Sequence, residues 1–442
     1  MEILIALIIV VILMVVAATK YNFHPFLSLL LAGILMGFIG GLNETEVVKI
    51  LMNGFGKTLG NIGIIIAFGT IIGAYLEKSG GAKTLANWAL KTIGKNRSAL
   101  AMNITGFIVS IPVYCDSGFI ILSSLNKAIS KKTKIPLVVL GVSLAAGLYA
   151  THVFVPPTPG PLAATAALDA DLGLVIMLGL VVAIPVSLVG LFWAKYIGKR
   201  VNSKVIKDFS IEESKTKKNP KTSQAFAPIL VPIVLIALKS ISEYPTHPFG
   251  EGTIAVEVIN FIGNPVIALF IGVLLAFNLK DRNIKETHSN WVTSGLKEAG
   301  IIILITGAGG AFGAILRATG IGDIIGSSFS DLEIGLLLPF IIAAVLKSAQ
   351  GSSTVSIITT AAIIAPILSS FGLDSPLGRS LSVLSIGAGA MTISHLNDSF
   401  FWVVAQFTEM DTATALKSQT VSTLFQGITG IVIVMIMGWL FI

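Results

Sequence analysis

The stretch Ala150-Thr-His-Val-Phe-Val-Pro-Pro-Thr-Pro-Gly-Pro161 places four prolines and a histidine inside an apolar run of helix length. Proline has no backbone N–H to donate, so a helix unwinds where prolines are this dense. Unwound backbone at membrane depth persists only where protein or a water-filled cavity satisfies its carbonyls. The stretch therefore predicts a broken membrane crossing, at about residues 136–168, that lines a binding site.

The composition is that of a membrane protein with many crossings. Of 442 residues, 54% are hydrophobic and only 12% are charged, the mean hydropathy is +0.88, and apolar runs recur from end to end. The single cysteine, Cys115, excludes an intramolecular disulfide and argues against a thiol-ligated metal. The formal charge of +7 lies in loops, where topology explains it, so no nucleic-acid partner is expected. Neither a metal nor a cofactor is expected.

Two short apolar runs precede the broken crossing, at residues 100–111 and 119–125. Neither can span a bilayer alone, since a crossing needs about 20 residues. Lysines and arginines flank the pair on both sides, and the positive-inside rule places both flanks in the cytoplasm. Residues of about 99–126 are therefore predicted to form a re-entrant hairpin, with its tip at Pro112-Val-Tyr-Cys-Asp-Ser-Gly118.

The second half of the chain repeats the first. Gly69-x3-Gly73-Ala-x-Leu-x3-Gly80 matches Gly309-x3-Gly313-Ala-x-Leu-x3-Gly320 at a shift of 240, and Thr151-His152 matches Ser394-His395 at a shift of 243. Such self-similarity indicates a duplicated unit. It predicts a second hairpin at about 334–368, with its tip at Ser348-Ala-Gln-Gly-Ser-Ser-Thr354, and a second broken crossing at about 382–409, interrupted at His395-Leu-Asn-Asp-Ser399.

Charges in corresponding loops indicate that the two halves are inverted. Residues 77–97 are basic, whereas their counterpart 320–333 has no lysine or arginine. In the preceding pair the difference is reversed, since 280–297 is basic and its counterpart 43–60 has few lysines or arginines. We therefore predict an all-α polytopic membrane protein with two inverted repeats, 1–194 and 225–442. Each repeat has five transmembrane helices, one re-entrant hairpin and one broken helix. The basic linker 195–224 is predicted to be cytoplasmic, and both termini periplasmic or extracellular.

The predicted hairpin tips and broken helices would bring several helix ends together near the membrane midplane. Free N–H groups at helix ends favour an anion such as a carboxylate, and small or hydroxylated tip residues let backbone and hydroxyls approach a ligand. A small, hydrophilic acid is therefore the expected substrate. The predicted substrate-binding residues are Tyr114, Asp116, Ser117, Gly118, Thr151, His152, Thr158, Gly351, Ser352, Ser353, Thr354, His395 and Asn397.

Ionisable side chains inside membrane segments are costly and indicate function. Asp116, Asp398, His152 and His395 are accordingly predicted to couple transport to an ion. Each aspartate could instead cap a helix, and each histidine could stay neutral and satisfy an unwound carbonyl, an interpretation favoured over protonation. Lys347 could pair with a substrate carboxylate, but snorkelling to the interface is the favoured interpretation.

Four motifs together resemble the gluconate permease family of bacterial secondary transporters, within the ion transporter superfamily. The resemblance runs over essentially the whole chain. It implies proton-coupled uptake of gluconate or a related sugar acid across the inner membrane, by an elevator-like form of alternating access and commonly as a homodimer. The motifs are Pro112-Val-Tyr-Cys-Asp-Ser-Gly-Phe-Ile-Ile-Leu122, His152-Val-Phe-Val-Pro-Pro-Thr-Pro-Gly-Pro161, Ala349-Gln-Gly-Ser-Ser-Thr-Val355 and His395-Leu-Asn-Asp-Ser399.

Departures from the family pattern leave the substrate open. Lys347 stands where family members more often have arginine, which binds a carboxylate bidentately as lysine does not. Ser117 and Phe400 stand where valine and glycine are more usual. Since the family also includes carriers of D-serine and glycerate, these substrates and sodium coupling are alternatives, and a channel is an alternative of another class. No enzyme is expected, because the chain lacks a His-Glu-x-x-His metal pair and a Gly-x4-Gly-Lys-Ser/Thr loop.

Overall fold

The computed structural model describes residues 2–21, 23–94, 97–201, 219–243, 249, 253–280, 286–320, 335–396 and 398–441. Every regular element within these ranges is a helix. The all-α class expected from the sequence is therefore confirmed. The described part of the basic linker 195–224 is limited to its two ends.

The last helix of the first half extends three residues into the predicted linker 195–224. The helices of this half are α1 (Glu2–Lys20), α2 (Pro25–Ile39), α3 (Glu44–Lys78), α4 (Gly81–Ile93), α5 (Ser98–Val109), α6 (Cys115–Thr133), α7 (Leu137–Phe154), α8 (Pro159–Ala167) and α9 (Leu172–Ile197). The gap between α5 and α6 falls in the predicted first hairpin, and the gap between α7 and α8 falls at the run of prolines.

Helices of the second half follow a similar order. They are α10 (Thr222–Ser242), α11 (Ile254–Ile262), α12 (Pro265–Phe277), α13 (His288–Ala318), α14 (Leu337–Gln350), α15 (Ser353–Ile364), α16 (Pro376–Met391), α17 (Ser399–Phe407), α18 (Thr412–Ala415) and α19 (Val421–Phe441). A short 3-10 helix, Ser369–Phe371, precedes α16. A π-helical turn, Leu416–Thr420, joins α18 to α19.

One turn recurs at a shift of 240 residues. Asp169 after α8 and Glu409 after α17 are both non-glycine residues in the left-handed region, with φ of 51° and 56°. Two residues further on, Asp171 and Asp411 each cap the next helix by accepting a hydrogen bond from the backbone N–H three residues later. Equivalent positions of the two halves thus adopt the same unusual backbone.

The long helices α3 and α13 pack closely through glycines. A Cβ on Gly54 would lie 3.0 Å from the Cα of Ala311, and a Cβ on Gly295 would lie 2.7 Å from the Cα of Ile71. Because residues early in α3 meet residues late in α13, the two helices run antiparallel. The two contacts correspond at a shift of 240 residues: Ala311 corresponds to Ile71, and Gly54 corresponds to within one residue to Gly295. The same contact is therefore made twice, with the two halves of the chain exchanged.

The broken helices lie at the centre of the bundle. All 18 residues of α7 are buried, so this helix is surrounded by protein and not by lipid. Helix α8 packs on α15 of the second hairpin, and α17 packs on α6 of the first. Each half therefore places the helix after its break against the hairpin of the other half.

Several described segments are long and apolar enough to cross a membrane. These six are Glu44–Lys78, Leu137–Ala167, Leu172–Ile197, Thr222–Ser242, His288–Ala318 and Thr412–Phe441. The pair α11 and α12, bent by 66°, would make a seventh. The apolar helices α2, α5, α14 and α15 are shorter, with 10–17 residues, so the count of five crossings per half stays a prediction.

Candidate functional site

Four interruptions of helices surround the candidate site. The first tip, residues 110–114, joins α5 to α6, and the first break, residues 155–158, separates α7 from α8. The second tip, residues 351–352, joins α14 to α15, and the second break, residues 392–398, separates α16 from α17. Each overlaps a stretch that the sequence predicted as irregular, but the first tip ends at Tyr114, so that Cys115 to Gly118 of the predicted tip lie in α6, and the second break begins three residues before His395. The four interruptions contain or adjoin most of the predicted site residues.

The first tip carries an unpaired buried carboxylate oxygen. Asp116 lies in the first turn of α6, and its Oδ1 atom is buried without a hydrogen-bond partner among the described residues. The hydroxyl of Tyr114 is in the same situation. Gly118 is packed tightly, since a Cβ there would lie 2.8 Å from Leu148, while Ser117 is half-buried. A ligand with hydroxyl groups could satisfy both unpaired atoms.

The first break brings His152 next to the first tip. The histidine is 4% exposed, its Nδ1 atom has no described partner, and its ring centroid lies 6.0 Å from that of Tyr114. Thr158 is less available, because its hydroxyl donates to the carbonyl of Val155 at 2.6 Å. Thr151 bonds back within α7 at 3.4 Å. The two threonines thus shape the break, whereas the histidine presents an unpaired atom to it.

The second tip uses a glycine to end a helix. Gly351 has φ of 83° and closes α14, a conformation that glycine adopts without steric cost. Ser352 then caps α15 by accepting from the backbone N–H of Val355 at 3.3 Å. Ser353 is buried and Thr354 is half-buried at the start of the same helix. The N-terminus of α15 is thus one of the helix ends that the sequence predicted near the site.

The second break holds Asp398 through several bonds. One oxygen, Oδ1, accepts from the N–H of Phe400 at 3.1 Å and so caps α17, while Oδ2 accepts from the hydroxyl of Ser394. His395 approaches the second tip, with Nε2 lying 2.9 Å from the carbonyl oxygen of Ser348. Asn397 was also predicted as a ligand, but it lies outside the described residues.

Lys347 is a site residue that the sequence analysis placed wrongly. Its side chain is 1% exposed and forms an ion pair of 2.6 Å with Asp398, whereas snorkelling to the membrane interface was the favoured interpretation. The ammonium also donates to the carbonyl of Gly351 and lies 5.9 Å from the ring centroid of Tyr149. Lys347 lies on the buried face of α14, together with Pro339, Ala343 and Leu346, and this position explains the error, since a lysine can snorkel only from a surface that faces lipid.

These charged groups form one electrostatic cluster. Asp116 and His152 both lie within electrostatic range of Asp398 and Lys347. Tyr149 connects the members physically, because its ring lies near the ammonium and 6.4 Å from the ring of His152. The cluster joins both tips and both breaks, and it can supply a cation for an anionic ligand and carboxylates for a proton.

The space beside this cluster is small. A cavity of about 10 Å³ lies between α3 and the first tip, with Thr70, Tyr114, His152 and Thr158 among its lining residues. That volume holds about one water molecule. Within the described part of the chain, no group of three or more His, Cys, Asp or Glu side chains is arranged to hold a metal ion.

Comparison with known proteins agrees with the resemblance read from the motifs. A family model described as GntP family permease matches residues 1–440. The gluconate permease of Pseudomonas aeruginosa is 32% identical over 434 residues, which cover 96% of this chain and 95% of the relative. The D-serine transporter DsdX of Escherichia coli (strain K12) is also 32% identical over 434 residues, 96% of each chain.

A solved structure shares the fold. That of Neisseria gonorrhoeae MtrF, described as illuminating a class of antimetabolite efflux pumps, has a TM-score of 0.71 and 15% identity over 96% of each chain. At that identity the likeness concerns the fold alone. The family match and the apolar spans together identify a multi-pass membrane transporter and not an enzyme. This chain belongs to the GntP permease family.

Proposed function

We propose that this protein is a secondary active transporter that takes up gluconate or a related small sugar acid with a proton across the bacterial inner membrane. The observation that carries the proposal is the buried ion pair of Lys347 and Asp398 where two tips and two breaks meet. A buried ammonium can bind a carboxylate through charge-assisted hydrogen bonds, and carboxylates beside it can take up a proton. The relative named gluconate permease supports the substrate class.

Unpaired buried atoms suggest which predicted residues contact the substrate. Tyr114, Asp116 and His152 each have one such atom within the described structure, so we assign them to direct contacts with substrate hydroxyls. The hydroxyls of Thr158 and Ser352 are hydrogen-bonded to backbone groups, so we propose that these two residues shape the site without contacting the substrate. The aspartates and histidines remain the proposed coupling residues, with Asp398 in contact with the only cation that the described part of the site contains.

The proposed architecture has two inverted repeats, 1–194 and 225–442, joined by a cytoplasmic linker at 195–224. It is supported by the antiparallel pair α3 and α13, with Gly54 and Gly295 in exchanged contacts. It is also supported by the exchanged packing of α8 on α15 and α17 on α6, and by the repeated turns at Asp169 and Glu409. Two copies related by a pseudo-two-fold axis in the membrane plane would produce these pairings.

Alternating access requires the site to open, since a cavity with room for about one water cannot hold a sugar acid. We propose that the hairpins and broken helices move as a rigid unit against a scaffold of α1–α3 and α10–α13. Glycines line this boundary: a Cβ on Gly73 would lie 2.5 Å from the carbonyl oxygen of Pro112, and one on Gly309 would lie 2.5 Å from Ile358. A smooth glycine surface suits elevator-like sliding, with the scaffold held in a homodimer as the resemblance implies.

D-serine is the second candidate substrate. The transporter DsdX is as similar to this chain as the gluconate permease is, and an amino acid brings an ammonium besides its carboxylate. The unpaired oxygen of Asp116 offers that ammonium a partner. Glycerate and sodium coupling are further alternatives within the same mechanism, and a channel is the alternative from another class.

Two measurements test the proposed function. A thermal-shift screen of the purified protein against gluconate, glycerate and D-serine, with and without sodium, should raise the melting temperature for the true substrate, because a ligand that binds the native state stabilises it. Proteoliposomes should then accumulate that acid when an inward proton gradient is imposed, and unlabelled substrate inside should accelerate entry. Electrodiffusive current without such exchange would indicate a channel. Accumulation driven only by a sodium gradient would show that sodium, and not a proton, is the coupling ion.

A further inference from the structure

Lys347 joins a hairpin to a broken crossing. It lies in the last turn of α14, just before the second tip, and its ammonium reaches Asp398 in the second break at 2.6 Å. The same ammonium donates to the carbonyl of Gly351. The carboxylate of Asp398 therefore already occupies the position on the ammonium that a substrate carboxylate would take.

Asp398 is held independently of this lysine. Its Oδ1 atom accepts from the backbone N–H of Phe400 at 3.1 Å, and its Oδ2 atom accepts from the hydroxyl of Ser394. A hydroxyl is both donor and acceptor, so Ser394 can donate to an ionised carboxylate and accept from a protonated one. The side chain of Asp398 would thus keep its position and its hydrogen bonds if the ammonium found another partner.

The charges at the site link the binding of an anionic substrate to the uptake of a proton. The pair of Lys347 and Asp398 is neutral while both are ionised, and the surrounding groups offer no second cation among the described residues apart from histidines. The titratable groups beside the pair are Asp116 and Cys115 from α6 and Tyr149 and His152 from α7. His395 of the second break contacts the second tip instead, at the carbonyl of Ser348. A substrate carboxylate at the same ammonium would add a buried negative charge to those of Asp398 and Asp116, which is costly unless a proton cancels it.

We propose that Asp398 is a displaceable internal counterion of Lys347. The substrate carboxylate takes the place of Asp398 on the ammonium, and a proton from the water on the open side bonds to Asp398 Oδ2, so that the net charge of the site is unchanged. This inference rests on the proposed function and adds two things to it. It assigns the coupling proton to one atom, and it requires the substrate to carry a free carboxylate.

The test is calorimetric titration of the purified protein with gluconate, glycerate and D-serine in turn. Titrations at pH 6–8, in two buffers of different protonation enthalpy, give the number of protons bound. The wild type is expected to take up about one proton per acid, and its affinity to fall by up to about tenfold per pH unit in the upper part of that range. Gluconamide, which has no carboxylate, is expected not to bind.

Asp398→Asn removes the counterion charge and retains a side-chain oxygen that can cap α17. The variant is expected to bind the acid at pH 8 at least as tightly as the wild type does, without pH dependence and without proton uptake. Asp398→Ser, another capping residue, is a second variant with a smaller side chain. Both variants leave a buried lysine unpaired, so the proton count of the wild type decides the question if neither of them folds. Glu409→Gln is the matched control, since it removes the charge from a separate pair with Lys127 at 2.9 Å. This control should keep the wild-type affinity and proton count.

Each outcome has a distinct meaning. Binding by the wild type without proton uptake overturns the inference, even if neither variant folds. A folded Asp398 variant that loses more than tenfold in affinity at pH 8 also overturns it, because that result makes the aspartate a ligand and not a competitor. Both outcomes leave the proposed transport function standing. A folded wild type that binds none of the three acids overturns the function and the inference together.

Discussion

The hydroxyl of Thr420 donates a hydrogen bond of 2.6 Å to the carbonyl of Ser394, and so ties the second break to the π-helical turn before α19. Thr423 completes the attachment by accepting from the N–H of Ser394 at 2.9 Å. Unwound backbone inside a membrane protein needs such partners, and π-helical turns occur frequently at functional sites. Since Ser394 in turn donates to Asp398, the last helix positions the charged cluster.

Thr420→Val should weaken this attachment without changing side-chain shape. The variant leaves the carbonyl of Ser394 unsatisfied, which costs about 1–3 kcal/mol, so we expect a lower melting temperature and weaker substrate binding. Thr429→Val is the control, because the hydroxyl of Thr429 donates within its own helix, to the carbonyl of Phe425, and has no other partner among the residues that the structure describes. Equal effects of the two substitutions on binding would show that the contact with Ser394 has no positioning role.

Gly73→Ala should impair transport because it inserts a methyl group at the boundary between α3 and the first tip. The new Cβ would lie 2.5 Å from the carbonyl oxygen of Pro112, so one of the two segments must shift, at a cost of about 1–3 kcal/mol. Gly63→Ala in the same helix meets no atom within 4 Å and should be neutral or stabilising by about 0.5–1 kcal/mol. Uptake into proteoliposomes and melting of both variants test this, and normal uptake by Gly73→Ala would contradict a tight boundary.

The irregular segments were predictable because their causes are local. Prolines before Pro161 and the glycine at Gly351 interrupt helices through their own backbone chemistry, and both interruptions lie where the sequence placed them. The burial of Lys347 was not predictable, because its partner Asp398 is distant in sequence and a lysine at a helix end favours the snorkelling interpretation. The hydrogen bond from Thr420 to Ser394 depends on a π-helical turn, which no pattern in the sequence predicted.

Asp411 provides a pH control outside the membrane-spanning helices. Hydrogen bonds from the backbone N–H and the hydroxyl of Thr414 lower the pKa of this exposed carboxyl. A carboxyl whose pKa is lower in the folded state stabilises the protein at every pH above its unfolded-state pKa of about 4. This stabilisation is lost only as the pH falls through the folded-state pKa. The melting temperature of Asp411→Ala should therefore lie below that of the wild type by a constant amount from pH 6 to pH 8. A difference that varies within that range would contradict the assignment.

Labelling of single cysteines tests the inverted arrangement. The ion pair of Lys78 and Glu286, at 3.8 Å, places the end of α3 beside the start of α13. In a background without the native cysteine, Lys91→Cys and Ser289→Cys should therefore react with an impermeant thiol reagent from the cytoplasmic side. Thr45→Cys, at the other end of α3, should react from the opposite side. Labelling of Lys91→Cys and Ser289→Cys from opposite sides would contradict the inversion.

Asp116→Asn should lose affinity for the substrate, because Asp116 Oδ1 is buried and unpaired in the described structure and is therefore available to a substrate donor. Hydrogen bonds to charged groups contribute about 1.5–3 kcal/mol, which corresponds to about 10- to 100-fold in binding. Asp169→Asn is a suitable control, since that exposed carboxylate pairs only with Arg379 among its described ion-pair partners, at 3.0 Å. At substrate concentrations below the wild-type half-saturation value, Asp116→Asn should take up the acid about 10- to 100-fold more slowly than the wild type when a proton gradient is imposed. Uptake by this variant at the wild-type rate and affinity would remove Asp116 from the site.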